Sequence, residues 1–403
     1  MHARSFAVFI ALAVLTLSGC AGTPQSNLTP ANGSLAPSVR SQKSTSSYGV
    51  LYEFTGGRDG KFPRAVLTEV DGTLYGTTAG DYTDNFGNVF AITTSGKETS
   101  LYNFAGGKDG NHSRAGLANR DGTLYGTTED GGFGHGTVFS ITVDGKEKVL
   151  HRFAGRHDGQ LPIAGLLDLK DELYGTTSDY GSGGNGTVFR VTDHKNKYAY
   201  EVLNVLGGGS AGQHPVAALI NVDGALYGTT AGGGVSELGT IFKVTFAGVK
   251  TLHSFGGGSD GARPYGALTE VGGILYGTTL VGGGAGCSGD GCGTVFKMKV
   301  GGSEYEVLHS FAGGGDGAHP KAGLTNVHGT LYGTTEKGGA SGLGTVFTID
   351  RTSAAEQVVH SFAGGADGSS PEAGLIEVGS RLYGTTVSGG AHGSGTVYAL
   401  SGI

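Results

Sequence analysis

The sequence contains no tryptophan, so repeat architectures signed by a recurring tryptophan or a Trp-Asp pair do not apply. Cysteine is almost missing, with three in 403 residues, too few for a disulfide framework. Beyond the apolar run Phe6 to Leu17, no segment approaches the roughly 20 residues a membrane-crossing helix needs, and that run has only 12. Positive charge is scarce as well. The net charge is −7 and no basic stripe interrupts it, so no nucleic-acid partner is expected. What the chain has in excess is glycine, 81 residues, yet glycine does not hold every third position, which excludes a collagen-like helix. It clusters between short apolar runs, the pattern of many tight turns.

The N-terminus carries an export signal. Arg4 supplies the positive head, the run Phe6–Leu17 the apolar segment, and Leu17-Ser18-Gly19-Cys20 resembles a bacterial lipobox. Residues 1–19 are therefore expected to be removed as a lipoprotein signal peptide and Cys20 to be lipidated; a plain secretory signal with a chance cysteine is the alternative. Residues 20–46 are rich in Ser, Pro, Asn and Thr and read as a flexible tether. An exported chain meets an oxidising compartment, so Cys287 and Cys292 are expected to form a disulfide. Their neighbours offer no convincing metal-ligand set.

From residue 47 onward the chain repeats. LYGTT recurs with its tyrosine at 75, 125, 174, 227, 276, 332 and 383, and residues 47–403 make seven periods of 51. Each period holds four strand candidates. In 115–153 these are AGLANR, TLYGTT, GTVFSITV and KEKVLHRF, with Asp121-Gly122 and Asp144-Gly145 as hairpin turns. Seven four-stranded antiparallel units predict an all-β, seven-bladed β-propeller. GVLYEF (49–54) is a fourth-type strand without predecessors, and GTVYAL (395–400) is a third-type strand without a successor. The N-terminal strand is thus expected to complete the C-terminal blade and close the ring; an open solenoid is the alternative. LYGTT and its glycine-rich loop open no helix, so a phosphate cradle is not expected.

The pattern GG-x-DG-x-x-P-x-AGL, followed by LYGTT, GG and GTVF, resembles the GloVer tandem repeats, over residues 49–403. That family consists of exported bacterial proteins with varying anchors, and the resemblance implies a cell-envelope lipoprotein here. It supplies no catalytic residues to carry over. Kelch proteins and quinoprotein dehydrogenases fit less well, since both rely on recurring tryptophans.

Strand parity puts both glycine-rich loops of every blade on one face, where function is most expected. Six loops carry an Asp-Gly turn, at Asp59, Asp109, Asp158, Asp260, Asp316 and Asp367. Turn chemistry explains them, with calcium as the minor alternative. Four outer strands carry a histidine, at His151, His253, His309 and His360, too far apart to share a metal ion. The first three periods break the repeat with aromatics and acids. Phe62, Tyr82, Phe86, Phe133 and Tyr180 stand with Asp84, Asp130 and Asp179 as candidate ligand-binding residues, also accompanied by Asp81 and Glu129. A second variable set is Arg64, Arg114, Ile163, Val216, Tyr265, Lys321 and Glu372, which opens the innermost strands near the central channel.

These features predict a lipid-anchored envelope scaffold that binds a glycan or an envelope protein, as a monomer, with no cofactor and no metal, exported to the outer membrane on its periplasmic or surface face. No Ser-His-Asp set or metal-spacing motif appears. The alternative is a carbohydrate-active enzyme, a glycoside hydrolase or lyase, working through carboxylates of the glycine-rich face.

Overall fold

The computed structural model describes residues 46–403, except 82, 84, 182, 195, 196 and 246, with only the backbone of 193 and 194. The signal and tether segments, Cys20, Tyr82 and Asp84 lie outside the described residues.

The described residues form 28 strands, β1–β28 in chain order, arranged as seven four-stranded sheets. Blades 1 to 6 occupy residues 68–103, 118–152, 167–205, 220–254, 269–310 and 325–361. Blade 7 takes three strands from 376–401, and its outer strand is β1 (Ser47–Glu53), paired antiparallel with β28 (Thr396–Ser401) from Ser47↔Ser401 to Glu53↔Thr396. The protein is a closed seven-bladed β-propeller.

The threonines of LYGTT explain why the motif repeats. In blade 2 the first, Thr127, donates to the Ala164 carbonyl of blade 3 at 3.1 Å, and the second, Thr128, bonds Thr137 of its own blade at 2.8 Å. The tyrosine fills the blade boundary: Tyr75 of blade 1 is buried among Leu117, Leu124 and Phe139 of blade 2. The glycine makes room for a ring. A Cβ on Gly126 would fall 2.6 Å from Phe139 Cζ. The glycine of the Asp-Gly loop is held by the same threonine: Gly110 has φ +99°, and a Cβ there would fall 2.2 Å from Thr128 Oγ1.

The innermost strands are shorter than the sequence pattern predicts. In blade 2 only Ala118–Arg120 enters the ladder, whereas AGLANR (115–120) was expected. Ala115 and Leu117 stay buried, but their carbonyls accept hydrogen bonds from Thr77 and Thr68 of blade 1, at 3.0 and 2.6 Å. Near the axis, cross-blade threonine bonds take the place of sheet pairing.

Candidate functional site

Two motifs that the sequence presents separately are one device. Asp158 accepts the Ala154 N–H at 2.7 Å and meets His151 Nε2 at 3.1 Å. Asp260 does the same with Gly256 and His253, and Asp367 with Ala363 and His360. Asp316 accepts from Ala312 at 2.8 Å and sits 3.4 Å from His309. Asp59 and Asp109 take a tyrosine instead, Tyr52 and Tyr102, each at 2.9 Å. The aspartates are thus spent on turns and on the outer strands. Among the described residues no group of three or more His, Cys, Asp or Glu is placed to hold a metal ion.

The aromatic residues of the first three periods separate into packed and exposed ones. Phe62 is half-buried at φ 61°, and its N–H donates to the Ser394 carbonyl of blade 7 at 2.9 Å. The equivalent Leu161, His214 and His319 lock their blades to the preceding one in the same way. Beside Phe62, Lys61 pairs with Asp81, and this bond holds the Asp81 carboxyl well below its ordinary range. Phe86 packs against the core shared by blades 1 and 2. Phe133, by contrast, is 69% exposed, and Tyr180 is 42% exposed with its ring 6.2 Å from that of His135. Asp130 meets His112 Nδ1 at 3.3 Å; burial first of all pushes the His112 imidazole below its usual range, outweighing the carboxylate beside it. Asp179 accepts from the Tyr180 N–H at 2.9 Å and from Gln160 at 3.3 Å. Cys287 and Cys292 form a disulfide in the glycine-rich loop of blade 5.

The second variable set meets at one place. The inner segments of all seven blades surround a central cavity of about 550 Å³, and Arg64, Arg114, Ile163, Val216, Tyr265, Lys321 and Glu372 all line it. Each directly follows an incoming glycine-rich loop, so together they form the channel mouth on the glycine-rich face. Going round the ring, blades 6, 7, 1 and 2 contribute Lys321, Glu372, Arg64 and Arg114; blades 3, 4 and 5 contribute Ile163, Val216 and Tyr265. The mouth has a charged half and an apolar half.

The charged half is internally matched. Lys321 Nζ lies 2.8 Å from Glu372 Oε1 and 3.1 Å from Glu336 Oε2. Arg64 pairs with the other oxygen of Glu372, and Arg114 Nε lies 2.7 Å from Glu129 Oε2. Burial works against the Glu372 charge, but Arg64 and Lys321 outweigh it and hold the carboxyl below its ordinary range. Burial likewise opposes the Lys321 ammonium, and Glu372 with Glu336 raises it overall.

Sequence reasoning found the seven lining positions but not their partner Glu336. A signal existed in the repeat columns. The residue after LYGTT is glutamate only in blades 2 and 6, the blades where Arg114 and Lys321 stand opposite it. Blade 1 has Ala79 there, and Arg64 reaches across to blade 7 for its carboxylate.

Residues 101–290 and 285–402 match the profile of a family described as the Gloeobacter/Verrucomicrobia repeat. No curated protein matches. Among solved structures, an oligogalacturonate lyase from Vibrio parahaemolyticus aligns at 11% identity over 85% of this chain and 89% of its own, with a TM-score of 0.50. A candidate 6-phosphogluconolactonase from Bacteroides uniformis aligns at 13% identity over 73% and 83%, with a TM-score of 0.49. A chain of a nidogen/laminin complex aligns at 15% over 68% and 91%, with a TM-score of 0.43. At these identities the likeness concerns the propeller fold alone.

Proposed function

The chain belongs to the Gloeobacter/Verrucomicrobia repeat family, and from that premise we propose that it is a binding scaffold of the bacterial cell envelope whose ligand site is the channel mouth. The observation that carries this reading is the contrast between positions. Where the repeat packs blade on blade it keeps the same residue; at the seven positions facing the cavity it supplies Arg, Arg, Ile, Val, Tyr, Lys and Glu. Drift at idle positions would not also match Arg114 with Glu129 and Lys321 with Glu336.

The signal LSGC supports lipidation at Cys20, and the Ser- and Pro-rich stretch behind it supports a tether that leaves the propeller free of the membrane surface. On this reading the protein is exported, anchored in the outer membrane and monomeric. Its glycine-rich face meets a glycan or an envelope protein. The exposed rings Phe133 and Tyr180, with Asp130 and Asp179 in the same two loops, would extend the contact outward from the mouth.

The same carboxylates bear on the alternative of a glycoside hydrolase. Glu372 and Glu336 share one lysine, which brings their oxygens within the reach of a hydrolytic pair. Arg64 and Lys321 hold Glu372 ionised, so it would be the carboxylate of such a pair and not its proton donor.

The test is an array of envelope polymers and envelope proteins probed with the full-length chain and with its Lys321→Ala/Glu372→Ala variant. Saturable binding that the variant loses is expected. Equal binding by both forms, or none by either, would remove the mouth as a binding site.

A further inference from the structure

We infer that the channel mouth takes a neutral sugar residue, the end of a glycan, with Tyr265 as its stacking platform and Glu372, Arg64 and Lys321 as its hydroxyl-binding groups. This rests on the reading of the mouth as a binding site.

Charge balance comes first. Arg64, Arg114 and Lys321 face Glu372, Glu129 and Glu336, three cations against three carboxylates. The charges cancel in sum, with Glu129 and Glu336 standing behind the cavity lining, so each cation of the mouth already has its carboxylate and none calls for a charged ligand. An uncharged ligand can enter without upsetting that balance.

Hydrogen-bonding capacity comes second. A sugar hydroxyl both donates and accepts. Carboxylates beside guanidinium and ammonium groups offer it an acceptor and a donor within one hydroxyl's reach, and bonds to charged groups are the stronger kind. These groups already hold one another: Lys321 lies between Glu372 and Glu336, and Glu372 lies between Lys321 and Arg64. Little side-chain freedom remains to be lost on binding.

Shape comes third. The opposite half of the mouth is Ile163, Val216 and Tyr265, and Tyr265 is 37% exposed. A pyranose has an apolar C–H face and a hydroxyl rim, which matches a wall that is apolar on one side and ionic on the other. The cavity of about 550 Å³ suits a small ligand. Further in, Val66 lines the cavity where the other six blades place glycine or alanine and narrows it on that side, which suits the end of a chain.

The experiment is calorimetric titration of the full-length chain with glucose, galactose, mannose and N-acetylglucosamine, beside glucuronate and a hexose phosphate. Saturable binding of at least one neutral sugar is expected. It should weaken at least about tenfold in Tyr265→Ala and in Glu372→Gln, and stay unchanged in Val143→Ala, an exposed residue at the hairpin on the opposite face. Tyr265→Ala removes an exposed ring that carries no ion pair, so it tests the mouth even if Glu372→Gln disturbs the fold. Binding of the anionic probes alone, with the same dependence on Tyr265, would overturn the neutral-sugar assignment and keep the mouth as a site. Binding indifferent to both variants would overturn assignment and site together. Silence from every probe would overturn the assignment and leave the scaffold reading to the array.

Discussion

The imidazole of His151 lies flat on the phenol of Tyr200, with 3.8 Å between ring centroids and 4° between planes. His151 belongs to the outer strand of blade 2 and Tyr200 to that of blade 3. The Tyr200 hydroxyl donates to the Asp158 carbonyl at 2.6 Å, while the Asp158 carboxylate holds His151. Three side chains thus close a clamp across a blade boundary. The same clamp joins Asp260, His253 and Tyr305, and again Asp367, His360 and Tyr48.

These clamps predict a graded loss. Tyr200→Phe keeps the stack and removes one hydrogen bond, at a cost of about 1 kcal/mol. Tyr200→Ala also removes the ring and should cost about 3 kcal/mol. Urea midpoints of the two variants check this. Equal losses would place the clamp's stability in the hydroxyl rather than in the stacked ring.

Glu98 and Glu147 occupy the position of Tyr200 in blades 1 and 2, and they face Asp59 and Asp109. Burial, and then the neighbouring aspartate, pushes each carboxyl up to about 7. One oxygen of each is buried with no hydrogen-bond partner among the described residues. The folded value lies above the unfolded one, so the stability these groups contribute is complete below the ordinary carboxylate range. It is lost as pH climbs through about 7. Groups such as Glu372 and His253 shift downward and act in the opposite sense, so the measurement is a difference. The Glu98→Gln/Glu147→Gln variant stays neutral at these positions. Its Tm relative to the parent should rise steadily from about pH 5 to about pH 8. A difference that does not vary with pH would contradict the raised values.

The glycine of LYGTT makes a sharper test of packing. Gly126 has an ordinary φ, so backbone strain is not at issue; a methyl there would meet Phe139 Cζ at 2.6 Å and Leu117 Cδ2 at 2.8 Å. Gly126→Ala should destabilise by about 1–3 kcal/mol through overpacking. Adding Phe139→Leu to Gly126→Ala should cost less than the two single losses summed, because the smaller side chain makes room for the methyl. Simple additivity would mean that the glycine serves something other than the ring.

The architecture was legible because its determinants are local and repeated seven times: Asp-Gly turns, strand alternation, and an unmatched strand at each end of the chain. Noise in one blade is corrected by the other six. The inner strands were overcalled because Ala115 and Leu117 read as strand residues, while their carbonyls are taken by Thr77 and Thr68 of another blade, about 40 to 50 residues away. The site was half legible. Divergence among Arg64, Arg114, Tyr265, Lys321 and Glu372 is visible along the chain, but their convergence on one cavity is a property of the closed ring. The exposure of Phe133 and the packing of Phe86 depend on loop paths that no spacing rule supplies.

Closure itself can be measured at the seam. Phe54 follows β1 and is fully buried; its ring meets Phe90 of blade 1 edge-on at 5.0 Å, and its N–H donates to the Gly395 carbonyl at 3.0 Å. It does for blades 7 and 1 what Phe255 does for blades 4 and 5, where Phe255 meets Phe296 at 5.5 Å. The chain crosses both boundaries, from β1 into β2 and from β17 into β18; the seam differs inside blade 7, where β1 is joined to β28 by pairing and not by a connecting turn. If the ring unfolds as one cooperative body, Phe54→Ala and Phe255→Ala should each cost about 3–5 kcal/mol and leave the steepness of the urea transition unchanged. If the seam instead opens by itself, Phe54→Ala alone should flatten the transition, because a blade-7 intermediate with β1 detached would be populated before the rest unfolds. The contacts favour the first outcome. The β1–β28 ladder runs the length of the strand, and Leu67, Leu74 and Phe90 of blade 1 pack into one core with Phe54, Tyr383 and Val397 of blade 7.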